Sequence, residues 1–125
     1  MTTPPGYHTV TPRMVVADVA AAVDFLVSVF AATAPAPDGG PVQVRLGDSL
    51  VLVSPADSRE LFPAFLYVYV ADVQAAYARA LAAGATSVEP PWDTPYGDFR
   101  AMVRDPSGNL FQLAAPADTG RKGQH

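Results

Sequence analysis

The tetrapeptide Val-Ala-Asp-Val occurs twice, at Val16-Ala17-Asp18-Val19 and at Val70-Ala71-Asp72-Val73, a shift of 54 positions from 16 to 70. The context is the same in both places. Strand-forming residues precede it, Thr9 to Val16 in the first copy and Phe65 to Val70 in the second, and an alanine-rich stretch with helical spacing follows. The aspartate stands just before each helix, where its carboxylate accepts from free backbone N–H groups and complements the positive end of the helix dipole. A strand, an aspartate cap and a helix therefore form a unit that is used twice, and the fold must accommodate two similar halves.

Helical spacing predicts a first helix over 19–30, with Ala22, Phe25, Leu26 and Val29 on one face, and a second over 73–83, with Ala76, Tyr77 and Leu81. Gly84 supplies a left-handed C-cap. Each half then closes with a turn and a strand, around Gly47-Asp48-Ser49 in the first and Asp105-Pro106-Ser107-Gly108-Asn109 in the second. Aligning Gly47 with Gly108 gives a shift of 61, so seven additional residues are expected in the second half, within 87–102. The matching stretch of the first half, Ala34 to Pro41, reads as a loop because its prolines cannot serve an interior ladder. The expected fold class is α+β: two tandem βαβββ units, the first shortened, that share one core. One domain is expected over 7–116, with repeats at about 7–55 and 63–116. Residues 1–6 and 117–125, rich in proline, glycine and polar groups, read as flexible termini.

Composition narrows the function. A chain of 125 residues with 50% hydrophobic and 16% charged residues can bury a core as a single domain. It has no cysteine, which excludes disulfides, thiolate metal sites and cysteine nucleophiles. Its two histidines are His8 and the terminal His125, too few for a histidine-rich metal centre. A net charge of −4 gives no basic field for nucleic acid. No apolar run reaches a membrane-spanning length and no signal peptide is visible, so a cytoplasmic protein without a membrane partner is expected.

Several motifs together resemble the vicinal oxygen chelate superfamily, which holds glyoxalase I, the bleomycin-resistance proteins and the extradiol dioxygenases. They are Tyr7-His8-Thr9-Val10-Thr11-Pro12 with Val15-Val16-Ala17-Asp18, the turn Gly47-Asp48-Ser49, and Tyr96-Gly97-Asp98-Phe99-Arg100 with Asp105 to Asn109. The resemblance spans about 7–116 and is strongest to the small glyoxalase-like branch, which implies a homodimer and a curved mixed sheet around a cavity with the helices on the outside. In the metal-dependent members four positions, two from each half, hold one divalent ion. Counting seven residues back from each capping aspartate carries two of them to Thr11 and Phe65; counting four past each turn glycine carries the others to Val51 and Gln112. Only Gln112 offers a good donor, so no metal and no cofactor are expected, and glyoxalase or dioxygenase chemistry loses its basis.

Alternation along the strands places Thr9, Thr11, Arg13, Phe65, Tyr67, Tyr69, Leu110 and Gln112 toward the cavity. The second-half hairpin adds Trp92, Tyr96, Phe99, Arg100 and Met102. Such walls bind planar or apolar molecules by stacking and area burial, with Gln43 and Gln112 as neutral hydrogen-bonding groups. The same aromatic residues could instead simply fill a core. Arg13, Arg45 and Arg100 could clamp an anion, although Arg100 could equally pair with Asp93 or Asp98. His8, at an odd displacement from Thr11, falls on the outer face of its strand and reads as structural. The Asp105 to Asn109 segment reads as a turn, and no acid–base pair is visible. The expected function is a metal-free small-molecule binding protein of the glyoxalase/bleomycin-resistance type, sequestering an aromatic or amphipathic ligand such as an antibiotic. The alternatives are a metal-independent lyase or isomerase using arginine to stabilise an oxyanion, and a non-catalytic interaction domain.

Overall fold

Both aspartates cap their helices. Asp18 Oδ1 accepts from the Ala21 N–H and Asp72 Oδ1 from the Ala75 N–H, each at 3.0 Å. The computed structural model describes residues 3–56 and 60–116 and divides the chain after Ala64 into two compact units. The expected flexible segment over 117–125 lies outside the described residues. In chain order the elements are β1 (Arg13–Val16), α1 (Val19–Phe30), β2 (Val42–Leu46), β3 (Ser49–Pro55), β4 (Phe65–Tyr69), α2 (Val73–Ala82), β5 (Thr86–Asp93), β6 (Asp98–Arg104) and β7 (Leu110–Pro116). The architecture is α+β as expected, with two mixed sheets, one in each unit. No helix among the described residues is long and apolar enough to cross a membrane.

In the first unit the strands are ordered β1-β3-β2, with β3 parallel to β1 and antiparallel to β2. One face of this sheet, with Met14, Val16, Val42, Val44, Val51 and Val53, is buried together with Phe25, Leu26 and Val29 of α1. Arg13, Gln43, Arg45, Leu50 and Leu52 alternate onto the other, open face. The shortened half keeps a remnant of its missing strand: Thr33 exchanges both backbone hydrogen bonds with Arg45, at 3.1 and 2.9 Å. The prolines that follow Thr33 stop the pairing there.

The second unit has the full complement, ordered β4-β7-β6-β5. Phe99, Ala101, Val103, Phe111 and Leu113 share a face buried with Val73, Ala76 and Ala80 of α2. The β5–β6 register shifts between Ser87 and Trp92, where Pro90 and Pro91 have no N–H to donate. The Asp105 loop is the expected structural turn. Asp105 Oδ1 accepts from the Ser107 and Asn109 N–H groups at 3.0 and 2.8 Å, and Gly108 takes a φ of 92°.

The two registers correct the alignment of the halves. Arg13 faces Leu52 across β1–β3, and Tyr67 faces Gln112 across β4–β7. Arg13 and Tyr67 each precede their capping aspartate by five residues, so Leu52, not Val51, matches Gln112, and the shift from 52 to 112 is 60. The second half therefore carries six additional residues, not seven. The turn glycines are not equivalent: Gly47 begins a two-residue turn between paired Leu46 and Ser49, whereas Gly108 is fourth of five residues between paired Arg104 and Leu110. With a side-chain period of two, that slip of one moves Val51 from the open face to the helix face, where it is buried. Phe99 needs the same correction. It alternates with Arg100 along β6 and packs toward α2, with only 4% of its surface exposed.

Candidate functional site

β4 and β5 are the edges of the second sheet, and β7 and β6 lie between them. Phe65, Tyr67 and Tyr69 alternate onto the open face from β4. Across the ladder they meet Leu110, Gln112 and Ala114, then Arg100 and Met102, and finally Trp92 and Glu89 on β5. The cross-strand row Tyr67–Gln112–Met102–Glu89 runs across all four strands. The result is a floor of mixed polarity flanked by aromatic edges. Phe65, Tyr67, Tyr69 and Trp92, with Tyr96 from the β5–β6 turn, keep between 40% and 67% of their surface exposed. Burying such groups is strongly favourable, so a face that holds five of them open is suited to stacking on a flat molecule.

Arg100 is the electrostatic centre of this face and is itself buried. Its Nε donates to Glu89 Oε1 at 3.1 Å, and its Nη1 donates to Tyr96 Oη at 2.9 Å. The guanidinium also lies over the rings of Trp92 and Tyr96, 5.8 and 5.7 Å from their centroids. Burial opposes its charge, but the hydrogen bonds to Glu89 and Tyr96 and the Glu89 charge outweigh that effect, so its pKa lies above the ordinary arginine value. The expected partners were Asp93 or Asp98. Glu89 takes the role because it stands on the open face one row from Arg100, on the strand paired with β6.

A second pairing joins Tyr67 and Asp98. Tyr67 Oη donates to Asp98 Oδ2 at 2.5 Å, and the Tyr67 and Tyr69 rings meet at 5.4 Å. Desolvation of the phenol and the hydrogen bond to the neighbouring carboxylate push the Tyr67 pKa up to about 12. Tyr67 therefore stays a neutral donor throughout the physiological range. Glu89 and Asp98 are absent from the ligand-binding residues expected from sequence. Asp98 was legible in principle, since positions 98, 100 and 102 share a face in any regular strand. Glu89 was hidden by the prolines that interrupt the alternation of β5.

Of the residues named from sequence, Phe65, Tyr67, Tyr69, Trp92, Arg100, Met102 and Gln112 come together on this face, with Tyr96 at its edge. Arg13 and Gln43 lie on the open face of the first sheet, and Thr11 precedes β1. Val51 and Phe99 lie on helix faces. His8 is exposed, and its Nε2 meets the Asp48 carbonyl at 2.8 Å, a structural tie between the chain start and the β2–β3 turn. The corrected register replaces Val51 by Leu52 among the four metal-ligand positions. The set becomes Thr11, Leu52, Phe65 and Gln112, with one amide oxygen as its good donor, and these residues do not fit a divalent ion. No group of three or more His, Asp or Glu residues able to hold a metal occurs among the described residues.

The model of the Glyoxalase/Bleomycin resistance protein/Dioxygenase superfamily matches residues 7–113. An uncharacterized protein of Mycobacterium bovis is 32% identical over 85% of this chain and 82% of its own length. Among solved structures, TioX from Micromonospora sp. ML1 superposes with a TM-score of 0.74 at 26% identity, covering 87% of this chain and 98% of that one. A glyoxalase/bleomycin resistance protein/dioxygenase family enzyme from Burkholderia phytofirmans PsJN has the same fold, with a TM-score of 0.70 at 22% identity over 82% of this chain and 93% of its own. With the duplicated strand–helix units and a family model that runs through both of them, the chain belongs to the glyoxalase/bleomycin resistance protein/dioxygenase superfamily.

Proposed function

We propose that this chain is a metal-free binding protein that sequesters a small aromatic or amphipathic molecule, such as an antibiotic, against the open face of its second sheet. The observation that carries this reading is the placement of the aromatic residues. Phe65, Tyr67, Tyr69, Trp92 and Tyr96 stay exposed, while the core of their own unit is completed by Phe111, Leu113 and Phe99 on the opposite face. They are not consumed by packing. Gln112 and the Tyr67–Asp98 pair supply the few polar groups that orient a ligand in such a site. The protein acts in the cytoplasm as a homodimer on this reading, consistent with the small glyoxalase-like branch that its motifs resemble. The arginine-assisted lyase or isomerase reading is weakened because Arg100 is committed to Glu89 and Tyr96.

Trp92, the single tryptophan, reports from within the face. Quenching of its fluorescence by a panel of planar compounds is expected to saturate without turnover. Tyr67→Ala is expected to weaken the best binder about tenfold, with little change in stability. Absence of quenching by every compound, or a stoichiometric internal metal in protein purified without chelator, would overturn the proposal.

A further inference from the structure

We propose that Thr94 is the positioning residue of the aromatic face: its hydroxyl sets the β5–β6 turn and, through that turn, both polar pairs of the face, Arg100–Tyr96 and Tyr67–Asp98. The inference rests on the binding role proposed above and adds a determinant of affinity in a side chain that is itself buried.

The turn is short and its backbone has little freedom. Thr94 and Asp98 frame three residues, Pro95, Tyr96 and Gly97. The Pro95 ring fixes its own φ, and Gly97 takes a φ of +93° where an added Cβ would meet nothing within 4 Å. Glycine is therefore needed there for its conformation and not for room. Thr94 closes the turn. Its N–H and its hydroxyl both donate to the Asp98 carbonyl, at 2.8 and 2.9 Å, and its Oγ1 accepts from the Asp98 N–H at 3.1 Å. The Gly97 N–H adds a longer bond of 3.4 Å to the Thr94 carbonyl. Removing a hydroxyl that donates and accepts in this way leaves backbone groups without partners.

The closed turn carries one group of each pair. Tyr96, at its tip, is exposed, yet its Oη accepts from Arg100 Nη1 and its ring centroid lies 5.7 Å from the guanidinium carbon. Asp98, at its end, reaches past β7 to accept the Tyr67 hydroxyl from β4. β4 and β6 are not paired with each other, so this bond depends on where the turn puts the carboxylate. β5 gives uneven support, because its register shifts between Ser87 and Trp92 and its prolines donate nothing. Loss of the Thr94 hydroxyl therefore releases Tyr96 and Asp98 together.

The test uses the full-length chain and pairs Thr94→Val, which keeps the shape and removes the hydroxyl, with Thr94→Ser, which keeps the hydroxyl. In a near-ultraviolet absorbance titration, Thr94→Val is expected to bring the late tyrosine step down from about 12 toward 10.0, and Thr94→Ser to leave it in place. Trp92 quenching by the best planar compound is expected to show affinity about three- to tenfold weaker in Thr94→Val and less than about twofold weaker in Thr94→Ser. A residue that served stability alone would lower the thermal midpoint and leave the tyrosine step of the folded chain unmoved. Where Thr94→Val does not fold, Gly97→Ala strains the same turn through φ alone and is expected to lower the same step. An unmoved tyrosine step in the folded variant, or equal losses in Thr94→Val and Thr94→Ser, would overturn the proposal. Failure of every planar compound to quench the parent chain overturns the binding role instead, and the tyrosine step then decides the part played by Thr94.

Discussion

Across the middle of the first sheet the open face reads Arg13, Leu52, Gln43; across the corresponding row of the second it reads Tyr67, Gln112, Met102. The faces turned to the helices differ far less, with valine, methionine and leucine on one and valine, alanine, leucine and phenylalanine on the other. The helix face of each unit must be filled at near-crystalline density, which restricts it to apolar side chains of matched volume. No such demand acts on the open face. The two copies have therefore kept one backbone plan and one kind of core while their open faces have diverged, one toward arginines with no ion-pair partner among the described residues and the other toward aromatic rings around an arginine already neutralised.

The largest effect expected from this contrast is between two faces of one sheet. Phe99→Ala is expected to cost about 3–5 kcal/mol of stability and Phe65→Ala under about 1, as measured by urea unfolding. Equal costs would mean that the open face is core after all. A smaller effect separates the arginines. Glu89→Gln leaves Arg100 buried beside a neutral partner and is expected to cost about 1–3 kcal/mol, whereas Arg45→Gln is expected to cost under about 0.5. Comparable losses would remove the distinction between a committed and an available guanidinium. The smallest effect concerns Tyr67. Its folded pKa, about 12, lies above the ordinary value of 10.0, so its contribution to stability is complete below pH 10 and is lost as pH rises through 12. A near-ultraviolet absorbance titration is expected to show one of the five tyrosines ionising late. Tyr67→Phe removes that step, and Asp98→Asn moves it downward. A titration unchanged by Asp98→Asn would break the Tyr67–Asp98 coupling.

The duplication, both helix caps and the order of elements were legible because each rests on a local signal: an aspartate before an alanine-rich period, or a proline where a ladder cannot form. Counting back from the aspartate, as the resemblance implies, and alternating from Phe65 put Phe65, Tyr67 and Tyr69 on one face, and all three share the open face of β4, since no turn intervenes between them and the anchor. Counting failed for Val51, where the anchor was a glycine whose role differs between a two-residue turn and a five-residue loop. Phe99 was misplaced for a related reason, since Gly97 and the prolines of β5 hide the phase of the hairpin. The pairing of Arg100 with Glu89 depends on a bulged register that no single-sequence period encodes.

The single Thr33–Arg45 bridge has a consequence for how this fold can vary. In the second unit the matching stretch is an eight-residue strand, and any change in its length must be absorbed by the ladder. In the first unit the segment from Ala34 to Pro41 has no ladder to keep in step, and lengthening a loop of this kind costs only about 0.6 kcal/mol per doubling. Insertions and deletions there can change the loop while the sheet beneath it keeps its register, which makes this segment the place where the length of the fold can vary at least cost.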